Sequence, residues 1–91
     1  MPTLEIGTPV RLKPNINAAR RKLFGTPDDT ADFSLAMGKI LQIESFDSND
    51  RTPPYEELYR LMGSDIVYYG QTVPITECIV PKSAIDVIPQ P

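Results

Sequence analysis

The sequence predicts a small, mainly β protein, and three observations lead there. Ten prolines and five glycines cut the chain into pieces of which very few are long enough for a three-turn helix. Residues 8–13 and 38–46 alternate with the period of two expected of half-buried strands. The run from Ile66 to Tyr69 is rich in β-formers and needs a neighbouring strand. With 91 residues of which 41% are hydrophobic, the chain has material for one modest core, so residues 1–91 are expected to form a single domain.

The first strand is placed at Thr8 to Lys13, with Val10 and Leu12 on one side, Arg11 and Lys13 on the other, and Pro14 ending it. Residues 14–37 are long for a plain connection and should carry structure of their own. Asn15 or Asn17 can cap a helix of under three turns through Ala18, Ala19 and Leu23, stopped by Gly25 and Pro27 and docked by Ile16, Leu23 or Phe24. Asp28 and Asp29 begin a further turn that delivers Phe33 and Leu35 to the core. Gly38 opens the second strand, which Phe46 closes.

Residues 55–62 admit two readings. Thr52 as cap with Tyr55, Leu58, Tyr59 and Met62 at helical spacing makes a helix. Leu58 to Met62 and Asp65 to Tyr69 as paired strands make a hairpin around Gly63-Ser64, and this reading is preferred because it supplies the neighbour that Ile66 to Tyr69 needs. A strand from Val73 to Val80 with Pro74 on an edge, a single turn at Pro81 to Ala84, and a closing strand from Ile85 to Ile88 complete the domain, leaving 89–91 as a tail. The expected core is Val10, Leu12, Ile40, Ile43, Ile66, Ile79, Ile85 and Ile88.

This order of elements resembles the SH3-like small barrels. GTPVRLK at 7–13, MGKILQIE at 37–44 and IVPKSAIDVI at 79–88 carry the resemblance. It implies a barrel of about five strands in which 14–37 is a long, partly helical first loop. The opening segment is most similar to small accessory subunits of photosynthetic and redox complexes, such as the photosystem I peripheral subunit and the variable chain of ferredoxin-thioredoxin reductase. The signalling SH3 domains are further away: the chain has no tryptophan and no Ala-Leu-Tyr-Asp-Tyr type motif, so none of their peptide-binding residues carries over.

Composition removes most catalytic chemistry. There is no histidine and one cysteine, Cys78, which excludes Ser-His-Asp and Cys-His pairs, the usual zinc sites and an internal disulfide. Cys78 reads as a small buried apolar residue. An EF-hand counted from Asp47 through Asn49 and Asp50 fails at Arg51, Thr52 and Leu58. Asp28, Asp29 and Asp32 read as helix-start acids. The Gly-Thr-Pro triplets at 7–9 and 25–27 are turn chemistry, without the lysine or spacing of a phosphate loop. No metal or cofactor is expected. Nothing at the N-terminus resembles a secretory signal, no apolar run approaches a membrane span, and the lone cysteine suits a reducing compartment, so a cytoplasmic location without membrane contact is expected.

Charge is uneven: residues 1–22 carry a net +4 and residues 23–91 a net −7. An acidic body with a basic corner of Arg11, Lys13, Arg20, Arg21 and Lys22 is poorly suited to nucleic acid along its length and better suited to a compact acidic protein surface. On a helix only two of Arg20, Arg21 and Lys22 can share a face. Tyr55, Tyr59, Tyr68 and Tyr69 lie within fifteen residues. Adjacent strand residues point to opposite faces, so one of Tyr68 and Tyr69 should be exposed, and the hairpin register puts Tyr59 beside Tyr68 as a shared anchor. The expectation is a non-catalytic protein-binding module, an accessory or regulatory piece of a larger assembly, with oligomeric state open. A nucleic-acid-binding barrel and a small acidic inhibitor from a mobile element are the alternatives.

Overall fold

The computed structural model of the chain describes residues 3–24, 31–49 and 56–89, and its first strand, β1 (Pro9–Leu12), falls within the first alternating segment. Val10 and Leu12 are buried and Arg11 is exposed, as period two requires. Asn15 sits at the cap of α1 (Ile16–Phe24), where its carbonyl accepts the first helical bond from Ala19 N–H at 2.9 Å. Ile16 and Arg20 face inward, and Asn17, Ala18, Arg21 and Lys22 form the outer stripe. The helix packs on the turn at 82–84 and on the strand before it. The predicted stop at Gly25 and Pro27, and the acids Asp28 and Asp29, lie outside the described residues.

The short β2 (Ala31–Asp32) leads into a turn that buries Phe33 and Ala36 but leaves Leu35 in solvent, contrary to the expectation that Leu35 enters the core. The second predicted strand becomes β3 (Leu41–Asn49), which begins later than Gly38 and runs beyond Phe46. Ile40, expected in the core, is 58% exposed. It is out of phase with Leu41 and Ile43, which take the buried face, so Ile40 and Ile43 cannot both be core. Register shifts between Ile43 and Ser45 and between Phe46 and Ser48 mark bulges that let this long strand bend.

Residues 57–62 and 65–68 are strands, which decides against a helix there: β4 (Glu57–Met62) and β5 (Asp65–Tyr68). The hairpin is corrected, because β4 and β5 do not pair. Both edges of β4 are taken, by β3 and by a later strand, so after Gly63-Ser64 the chain leaves for a second sheet. Gly63 holds φ at 114°; an added Cβ would meet only ordinary contacts at 3.6 Å, so backbone conformation rather than space asks for glycine. The strand expected from Val73 to Val80 is split into β6 (Gln71–Pro74), a 3-10 turn at Ile75–Glu77 and β7 (Val80–Pro81). Pro74 has no N–H to extend a ladder, and Cys78 N–H closes the turn on Ile75 carbonyl at 3.1 Å. The tight turn at Lys82–Ala84 and the closing β8 (Ile85–Val87) fall where predicted.

The strands form two antiparallel sheets, ordered β7-β4-β3-β1-β8 and β2-β5-β6, which do not close into a continuous barrel among the described residues. One core lies between them, with Val10, Leu41, Ile43, Tyr59, Leu61, Ile66, Ile75 and Val80 fully enclosed. Of the expected core, Ile79 and Ile88 are only half-buried, since the strand break at 75–77 puts Cys78 and Val80 inward and Ile88 lies beyond the end of β8.

Candidate functional site: the β5–β6 tip and the basic helix

β5 and β6 are joined by Tyr69 and Gly70 alone, with Tyr68 opposite Gln71. Both linking residues have positive φ, 51° and 76°, the conformation that lets a two-residue link follow strand twist. Glycine adopts it freely; a tyrosine there is strained. Tyr69 is nevertheless 66% exposed, with its ring centroid 4.5 Å from that of Tyr68 and tilted 59° to it. Tyr68 is half-buried against the core. Burial, then the charge and hydrogen bond of Tyr69 and the charge of Cys78, push the Tyr68 phenol above its ordinary pKa against a weaker opposing pull from Arg20.

The predicted partner-binding residues do not gather in one place. Tyr59 is corrected outright: it is fully buried and does not share a face with Tyr68, because the two lie in different sheets. Its hydroxyl accepts Leu4 N–H at 2.8 Å and donates to Glu57 Oε1 at 2.5 Å, and Lys82 Nζ stands 3.6 Å from the same carboxylate. Phe46 meets its ring edge-on at 5.6 Å. Burial and the Glu57 hydrogen bond raise its pKa. Tyr59 therefore ties the N-terminal segment to the sheet.

Arg20 is corrected too, being 4% exposed. Its Nε donates to Ile79 carbonyl at 3.0 Å, and its guanidinium lies 5.4 Å from the Phe33 ring centre. It stands one turn from Ile16 on the inner face of α1, so the amphipathic phase of the helix turns it inward. Arg21 and Lys22 stay outside, in the last turn, where positive charge complements the helix dipole. Arg11 is opposite Asp86 on the outer face of β1 and β8, and Lys13 Nζ lies 3.9 Å from the Asp86 carboxylate, so that part of the basic corner is partly neutralised.

Sequence reasoning named Tyr68 and passed over its neighbour Tyr69, the more exposed of the two. The signal was present: a single residue before Gly70, between two β-forming runs, marks a two-residue link. The acids follow local geometry. Asp32 accepts from Ser34 N–H and hydroxyl at 2.9 and 2.6 Å, which lowers its pKa, and it does not start a helix. Asp47 pairs with Arg60 at 3.2 Å, and Asp50 lies outside the described residues. Among the described residues no three cysteine or acidic side chains converge as a metal site requires. No helix there is long and apolar enough to cross a membrane. The chain matches no family model, and no curated protein or solved structure is significantly similar to it.

Proposed function

We propose that this chain is a non-catalytic protein-binding module, an accessory or regulatory piece of a larger assembly, that engages an acidic partner through the β5–β6 tip and the outer stripe of α1. The observation that carries the reading is Tyr69, a large aromatic left mostly in solvent at a backbone position that disfavours it. Strain of this kind, about 1–2 kcal/mol for a non-glycine residue, clusters at functional sites. An exposed tyrosine held in tilted contact with a second ring is an anchor with few rotamers to freeze, the kind of residue that dominates interface energies. Arg21 and Lys22 add steering toward acidic surfaces. At the level of fold, the bent β3 and the return of β8 to β1 after one tight turn support reading the two sheets as the halves of an SH3-like barrel.

The experiment compares wild type with Tyr69→Asn and with the double variant Arg21→Glu, Lys22→Glu as baits in extracts of the source cells. Asparagine tolerates the turn conformation, so the first variant keeps the hairpin while removing the anchor. The same protein should be captured by wild type and lost from both variants. Retention by Tyr69→Asn, or recovery of nucleic acid in place of a protein, sinks the proposal.

A further inference from the structure

Leu35, Met37 and Ile40, three large apolar side chains exposed to solvent, come from one stretch of six residues. Turns are ordinarily polar, and this one is firmly held. Ala36 and Met37 N–H both donate to Phe33 carbonyl at 2.9 and 3.1 Å, and Lys39 N–H donates to Ala36 carbonyl at 3.3 Å. Phe33 and Ala36 are buried beneath it, and the Ser64 Oγ lies 3.4 Å from Leu35 carbonyl and 3.1 Å from Asp65 carbonyl, which brings the turn against the corner between the sheets. Covering these side chains therefore costs little backbone ordering. Ile40 is in phase with Gln42, whose partner across the sheet is the half-buried Met62, so the apolar surface continues onto the outer face of β3 and β4. Two exposed charges flank it, Lys39 and Asp65, and neither forms an ion pair among the described residues.

We infer that this surface docks a second copy of the chain, in a two-fold dimer in which Lys39 of each copy faces Asp65 of the other. A two-fold interface meets itself, so it is self-complementary when it offers apolar surface to apolar surface and any charges it carries are of both signs. This patch does both. Four apolar side chains fall short of the roughly 800 Å² per partner of a stable interface, so the dimer is concentration-dependent.

Sedimentation velocity of the full chain over a wide concentration range tests this. A reversible shift from monomer to dimer is expected. Lys39→Asp and Asp65→Lys should each weaken the dimer by about tenfold or more, because each creates like-charge pairs across the two-fold. The double reversal should restore it. Circular dichroism checks that these exposed substitutions leave the fold intact, and Tyr69→Asn should leave the dimer unchanged, which separates this surface from the hairpin tip. A chain that stays monomeric at every concentration overturns the inference. So does a dimer indifferent to the reversals, or one that the double reversal fails to rescue.

Discussion

Tyr69 and Tyr59 show how the same residue type takes opposite parts. Tyr69 is exposed at φ 51°, so replacing it with glycine or asparagine should stabilise the isolated domain by about 1 kcal/mol, read from urea unfolding. A loss of stability would mean that its ring is held for packing. Tyr59 is buried, and Tyr59→Phe leaves Leu4 N–H without its acceptor and Glu57 with Lys82 alone, at a cost of about 1–2 kcal/mol. Its pH dependence has a definite sign. Burial raises the folded-state pKa above the ordinary value of about 10, so ionisation favours the unfolded chain. Its contribution is whole below that value and is lost as pH rises from there through the higher folded-state pKa. Wild type should lose stability in that alkaline window more steeply than Tyr59→Phe. Equal slopes would exclude this phenol as a cause.

Phase decides what each element buries. In β3 the neighbours Ile40 and Leu41 differ only in phase, one exposed and one fully enclosed. Leu41→Ala should therefore cost about 2–5 kcal/mol and Ile40→Ala under about 0.5 kcal/mol in dilute solution. Similar losses at both would put the register out by one residue. The helix obeys the same logic: Arg20 belongs to packing, and reversing it to glutamate should unfold the domain and so report nothing about binding. At the corner between the sheets, Gly63→Ala should cost about 1 kcal/mol or more through φ alone, since no atom lies closer than 3.6 Å to the added carbon.

Across the whole molecule the division between a basic first quarter and an acidic remainder survives folding only in part. Arg20 is withdrawn into the interior and Lys13 is set against Asp86, leaving Arg21, Lys22 and Arg11 as the outward cations of that quarter. Charge reversal at Arg21 and Lys22 should slow partner association several-fold and flatten its salt dependence, measured by stopped flow once a partner is in hand. An effect confined to dissociation would assign these residues to direct contact.

What the sequence determined by itself was local. Alternation placed β1 and a strand after Gly38, though not which face of that strand is buried, proline and glycine located the breaks, and Asn15 or Asn17 marked a helix start, because each rests on backbone geometry within a few residues. The strands at 57–62 and 65–68 were legible for the same reason, but their pairing was not. Pairing depends on which edges are already occupied, and β3, the strand before it, and β7, from much later in the chain, fill both edges of β4. Tyr59 was consequently moved from a supposed surface anchor to an internal tie, and Arg20 from the basic corner to the core. In both cases a polar side chain finds its partner, Leu4 N–H or Ile79 carbonyl, more than fifty residues away, where only tertiary structure decides.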